Sequence, residues 1–217
     1  MTEPNIHCIP LGSLETNAYI VSADGDCAVV DVGTRPQPLL DYLYKHDLRP
    51  GRVLLTHGHG DHVAGIPALR DAFDGLRVLC PVGDVHMMTD PWANLSARFG
   101  WALDAGGEAD ETTKPGTTLH IAGVEWAVLD TSGHSPGGVS YYCESAGVVL
   151  CGDALFAGSI GRTDVPGADT DTLLRNIREQ LLPLPDDTRV LPGHGPETTI
   201  GAERAGNPFL RDTGGVR

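Results

Sequence analysis

The segment Thr56-His57-Gly58-His59-Gly60-Asp61-His62 constrains this chain more than any other. It follows residues 52–56, a compact apolar run that reads as a strand. It precedes residues 63–73, a helical stretch with Ile66, Leu69 and Phe73 on one face. Four ligand-capable side chains fall within six residues, and buried imidazoles and carboxylates at that density need a cation. One tetrahedral ion does not take four donors from a single turn, so the spacing predicts two ions. His57 and His59, two apart, point the same way in an extended turn and serve one ion; Asp61 and His62 serve the other.

Each ion needs further donors from elsewhere in the chain. Three Gly-flanked turns after apolar runs offer them: Gly133-His134-Ser135, Cys151-Gly152-Asp153 and Pro192-Gly193-His194-Gly195. A carboxylate has two oxygens and can bridge two cations, which makes Asp153 the shared donor. His134 then completes the first site and His194 the second. The remaining histidines, His7, His46, His86 and His120, lack such settings and receive no role.

A fold that gathers these turns must bring strand ends together. Residues 6–11, 17–22 and 27–32 read as strands separated by Gly, Asp and Ser turns. Residues 37–46 place Leu39, Leu40 and Leu43 at helical spacing, with Pro36 suited to a first turn. Residues 77–80 read as a strand and 85–88 as a short helix. Residues 89–115 show weak periodicity and read as a long loop, of the kind that is usually functional. Its Trp92, Phe99 and Trp101 either fold over a site or pack on the core. The second half repeats the pattern of the first, with strands at 118–121, 124–129, 138–143 and 148–151, a helix over 170–182, a strand at 189–191 and a terminal helix or turn from about Gly201. Two such halves without a linker predict one domain over residues 1–217, an α+β architecture with two sheets face to face and helices outside.

Composition excludes several classes. With 15 Lys and Arg against 29 Asp and Glu, the formal charge is −14, which repels phosphate backbones and argues against nucleic acid as a partner. No run approaches the roughly 20 apolar residues of a membrane helix. The start Met1-Thr2-Glu3-Pro4 has neither a basic nor an apolar leader region, which predicts a cytoplasmic protein. The five cysteines (Cys8, Cys27, Cys80, Cys143 and Cys151) form no C-x-x-C pair and read as reduced, mostly buried thiols.

The order T-H-x-H-x-D-H, G-H, G-D, G-H resembles the metallo-β-lactamase-fold hydrolase superfamily. That resemblance implies an αββα sandwich with the metals at one edge, between the sheets. Within the superfamily, Gly133-His134-Ser135-Pro136-Gly137-Gly138, Gly152-Asp153-Ala154-Leu155-Phe156, Gly161-Arg162-Thr163-Asp164, Pro192-Gly193-His194-Gly195-Pro196 and Asn207-Pro208-Phe209-Leu210 look most like the short bacterial type II glyoxalases, the hydroxyacylglutathione hydrolases. The two-domain form of that family adds a helical glutathione-holding domain for which this chain has no room. Arg162 stands where the family uses a Lys or Arg near glutathione, and is the candidate substrate contact; the alternative is a surface ion pair.

The expected chemistry is hydrolysis of a small-molecule acyl thiol, such as S-lactoylglutathione, by a metal-activated hydroxide, with Asp61 as both ligand and catalytic residue. A thiol of pKa about 8.5 departs without a general acid, and no separate acid is evident. His and Asp donors suit zinc, with iron or manganese as alternatives. A persulfide dioxygenase, with one iron on two His and one Asp, shares the Gly161-Arg162-Thr163-Asp164 stretch but tends to carry Ala-His-Asp where this chain has Gly193-His194-Gly195. A lactonase or β-lactamase would direct the same nucleophile to another carbonyl. A non-catalytic metal-binding protein is disfavoured because every expected donor is present.

Overall fold

A computed structural model describes residues 3–101 and 107–211. One six-stranded sheet runs in chain order: β1 (Asn5–Leu11), β2 (Thr16–Ala23), β3 (Asp26–Val30), β4 (Arg52–Leu54), β5 (Arg77–Pro81) and β6 (Glu111–Thr113). The β1-β2-β3 pairings are antiparallel and those from β3 to β6 parallel. Parallel neighbours need a crossover. Helix α1 (Gln37–Lys45) supplies it between β3 and β4, and helices α2 (Gly60–Val63) and α3 (Ile66–Ala72) between β4 and β5.

The second sheet contains β7 (Thr118–Ile121), β8 (Val124–Asp130), β9 (Val139–Cys143) and β10 (Val148–Gly152) as an antiparallel meander. A short separate hairpin follows, β11 (Leu155–Phe156) and β12 (Ser159–Ile160). Helix α4 (Thr170–Asn176) then leads to β13 (Arg189–Pro192), which pairs parallel to β10, and β14 (Thr198–Thr199) closes the edge before helix α5 (Ile200–Gly206).

Strands covered on both faces read as continuous apolar runs, and their alternation sorts the core into three layers. From β3, Cys27 and Val29 face α1 and α3 together with Leu39, Leu43, Ile66 and Leu69. Its Ala28 and Val30 face the other sheet, against Trp126, Tyr141, Val148 and Leu150. From β10, Val149 and Cys151 face outward onto Leu173, Ile177, Leu181 and Ile200. Helix, sheet, sheet and helix are the four layers of an αββα sandwich, as expected. Among the described residues, no helix is long and apolar enough to cross a membrane.

Three local expectations are corrected. The helix expected over 63–73 is two helices that meet at Gly65, whose backbone passes so close to Val32 and Gly33 that no side chain fits there. The helix expected over 170–182 holds α geometry to Asn176 and then widens into a π turn, Ile177–Leu181. The stretch 89–115 is not structureless: Ser96–Phe99 forms a 3₁₀ turn, and Glu111–Thr113 pairs with β5 as the sheet edge. Within it, residues 102–106 lie outside the described residues. Trp92 and Phe99 are 70% and 52% exposed, so neither packs in the core.

Candidate metal centre

Asp31 follows β3, residues 57–62 follow β4, His134 follows β8, Asp153 follows β10, and His194 follows β13. All of these lie at the carboxyl ends of their strands, at one edge of the sandwich, where α/β sheets collect ligand-binding residues. The two sheets are joined at that edge. Asn17 at the start of β2 donates its side-chain amide to Pro192 O and Gly195 O, both at 2.9 Å, and Tyr19 Oη donates to Pro192 O at 2.7 Å.

All seven sequence-predicted donors converge there. Nitrogen donors of His57, His59 and His134 lie within 4.8 Å of one another, as do the donor atoms of Asp61, His62 and His194. His59 Nδ1 faces His134 Nε2 at 2.9 Å, and His194 Nε2 lies 3.1 Å from Asp61 Oδ2. Asp153 sits between the groups: Oδ1 is 3.4 Å from His62 Nε2, and Oδ2 is 3.5 Å from His134 Nε2 and 3.6 Å from His194 Nε2. A methyl group at Gly193 would collide with Asp153 Oδ1 and His62 Cε1, so only glycine lets the β13 turn come this close.

Four of the imidazoles are held by the nitrogen that faces away from the cluster. His57 Nδ1 meets Thr56 Oγ1 at 3.0 Å, His62 Nδ1 meets Asp31 Oδ2 at 2.8 Å, His134 Nδ1 meets Arg162 O at 2.8 Å, and His194 Nδ1 meets Leu14 O at 2.9 Å. An oxygen partner on Nδ1 fixes the ring and leaves Nε2 as a lone-pair donor, the usual arrangement behind metal-binding histidines. His57 Nε2, His62 Nε2 and Asp153 Oδ1 are buried with no hydrogen-bond partner. Buried orphans of this kind are costly unless a cation satisfies them, and a set of nitrogen and carboxylate donors fits divalent zinc, iron or manganese.

The electrostatics differ between the two groups of donors. Burial, reinforced by neighbouring imidazoles, pushes His57 well below the ordinary histidine range, and burial with His134 pushes His59 down to about 3. Both rings therefore stay neutral, the form that binds metal. Burial also opposes a charge on His62, but Asp61, Asp153 and Asp31 around it outweigh burial and raise its pKa. Burial would raise Asp61, yet His62 and His194 hold it below the usual carboxylate range.

Sequence reasoning missed two carboxylates. Asp31 accepts from Thr56 N at 2.8 Å and Thr56 Oγ1 at 2.7 Å as well as facing His62, which ties the end of β3 to two of the donors. Its signal was an acid placed directly after the buried run Ala28-Val29-Val30. Asp84, fully buried, accepts from Gly58 N at 3.0 Å, Ser135 Oγ at 2.6 Å and Gly137 N at 2.6 Å. It thereby clamps the His57-Gly58-His59 turn to the turn that carries His134. Arg162 lies at the rim, its guanidinium forked onto Asp164 at 2.7 and 2.9 Å, while its carbonyl holds His134. Above the donors opens a cleft of about 480 Å³, walled by Leu14, Leu95, Phe99, Phe156 and Ile160, with Arg162 at its rim.

Known proteins share this chain's sequence and fold. The chain is 38% identical over 202 residues to the probable metallo-hydrolase YqgX of Bacillus subtilis, covering 93% of this chain and 95% of that one. It is 35% identical over 208 residues to the hydroxyacylglutathione hydrolase GloC of Haemophilus influenzae, covering 95% and 98%. Among solved structures, the BLEG-1 B3 metallo-β-lactamase superposes with a TM-score of 0.91 at 40% identity over 95% of this chain and all of that one. TTHA1623 in a di-iron-bound form superposes with a TM-score of 0.85 at 39% identity over 94% and 100%. The family model described as the metallo-beta-lactamase superfamily matches residues 11–194, from the end of β1 to the last of the convergent histidines, and the chain belongs to that superfamily.

Proposed function

We propose that this superfamily member is a dinuclear metal-dependent thioester hydrolase of the type II glyoxalase kind. His57, His59 and His134 would hold one ion, Asp61, His62 and His194 the other, with Asp153 as the shared donor. When bound, two divalent cations supply a water that is deprotonated near neutral pH and positive charge for the carbonyl oxygen. Asp61, which lines the cleft, orients the attacking water through a carboxylate oxygen. The apolar walls keep bulk water from the reacting carbonyl, which strengthens every charge interaction inside.

The observation that carries the thioester reading is what the cleft lacks. Apart from the proposed donors, the only titratable side chain among the described lining residues is that of Arg162, which cannot act as an acid near neutrality. An amine leaving group needs a proton from such an acid, whereas a thiol departs as thiolate. The likeness to the Haemophilus hydrolase supports the same reading. Zinc is the proposed metal, and the di-iron form of TTHA1623 makes iron the alternative.

The test is release of thiol from S-lactoylglutathione by protein loaded with zinc or iron, run beside a β-lactam, a lactone and glutathione persulfide with an oxygen electrode. Thiol release with no oxygen uptake supports the reading. Oxygen uptake with persulfide, or β-lactam turnover without thioester turnover, overturns it.

A further inference from the structure

The apolar walls of the cleft come from segments that carry none of the donors. Leu95 and Phe99 belong to the stretch between β5 and β6, while Phe156 and Ile160 come from the β11–β12 hairpin.

Leu95 is the unusual member. Its backbone is left-handed, with φ +67° and ψ −4°, a region that is uncommon for any residue with a Cβ and costly for a bulky one. The neighbours impose it. Asn94 O accepts from Gly60 N at 2.7 Å, Asn94 Nδ2 donates to Met87 O at 2.9 Å, and Ser96 N donates to Asn94 Oδ1 at 3.0 Å. A Cβ on Gly60 would stand only 2.9 Å from Ser96 Cβ, so this stretch lies directly against the helix that carries Asp61 and His62. Glycine would adopt the same backbone without strain. A leucine is held there instead, and its side chain, 9% exposed, lines the cleft. A strained residue at a cleft wall points to function.

Away from the proposed donors His59, Asp61, His134, Asp153 and His194, the charge on this lining is already paired. Arg162, the one Lys or Arg among the described lining residues, is forked onto Asp164, which also lies within electrostatic reach of Arg98. The cleft volume, about 480 Å³, suits a small organic group.

We propose that the cleft is an acyl-chain pocket that prefers a thioester bearing an apolar chain over one bearing a short hydroxyacyl group, with Leu95 as a specificity-determining residue. For the scissile group this rests on the thioester reading above; the preference for an apolar chain is a property of binding.

The experiment measures binding of two non-hydrolysable thioethers, S-methyl- and S-hexyl-N-acetylcysteamine, to the metal-loaded full chain by calorimetry. Each buried methylene adds a factor of several in affinity, so the hexyl compound is expected to bind at least about tenfold more tightly. Leu95→Gly fits the left-handed backbone, and is expected to keep the metal content while reducing that preference to about threefold or less. Equal binding of the two compounds, or full preference retained in Leu95→Gly, overturns the proposal. Hydrolysis of the acetyl and hexanoyl thioesters is assayed alongside. Chain preference in binding with no thioester turnover sinks the thioester reading and leaves the pocket, and turnover with no chain preference in binding does the reverse.

Discussion

Asp153 sets one carboxylate oxygen 3.4 Å from His62 Nε2 and the other 3.5 Å from His134 Nε2, so a single side chain touches both groups of donors. Asp153→Ala is expected to hold at most one metal per chain, measured by elemental analysis after gel filtration, and to lose thioesterase activity. Two ions and full activity in that variant would remove Asp153 from the centre.

Asp31 acts one step further out. Its carboxylate faces His62 Nδ1 and accepts from Thr56, which in turn meets His57 Nδ1. Substitution of such outer partners typically costs about 10–100-fold in metal affinity or activity, and Asp31→Asn is expected to fall in that range. Competition against a chromogenic chelator reads it directly; an unchanged affinity would mean that the rings orient themselves.

For Asp84 the expected loss is one of stability as well as of metal. Asp84→Ala leaves Gly58 N, Gly137 N and Ser135 Oγ without their acceptor. Buried groups left unsatisfied cost about 1–3 kcal/mol each, so a loss of at least roughly 3 kcal/mol is expected, at least about 6 °C in Tm for a chain of this length. Ser135→Ala removes one of the three donors and should cost about a third as much. Equal Tm values for wild type and Asp84→Ala would refute the clamp.

Removing the metals should destabilise the fold. At a free metal concentration 100 times Kd, a bound ion adds about 2.7 kcal/mol and two add about 5.4 kcal/mol, so exhaustive chelation is expected to lower Tm by about 11–22 °C. Readdition of zinc should restore it. A Tm indifferent to chelator would show that the cluster holds no ion in solution.

The thiols give a check on packing. Cys27, Cys80, Cys143 and Cys151 are buried and Cys8 is exposed; burial pushes Cys27 and Cys151 each up to about 12. A thiol-reactive dye should label one cysteine rapidly in the native protein and all five after denaturation. Rapid loss of two or more would mean that one of the buried layers opens readily.

Much of the centre was legible because His57, His59, Asp61 and His62 are adjacent in sequence and their spacing is itself geometric information. His134, Asp153 and His194 could be read from glycines flanking donors after apolar runs. Asp31 left only its place directly after the apolar run of β3, and Asp84 left nothing, since a carboxylate that works through hydrogen bonds to backbone amides and a neighbouring hydroxyl makes no spacing pattern. The layers followed from alternation, as in β10. The break at Gly65 did not, because it is set by contact with Val32 and Gly33, residues distant in sequence. Strand β6 was hidden because Glu111-Thr112-Thr113 is too short and polar to stand out, and owes its conformation to β5.

The separation of donors from walls has a consequence for descent. A duplicated copy of this gene can change Leu95, Phe99, Phe156 or Ile160 and drift toward a different diet while the His and Asp cluster stays fixed. The hydrogen bond from Gly60 N to Asn94 O is where that freedom ends. Lineages that remodel the 91–100 segment must keep an acceptor at that point, or disturb the helix on which Asp61 and His62 are carried.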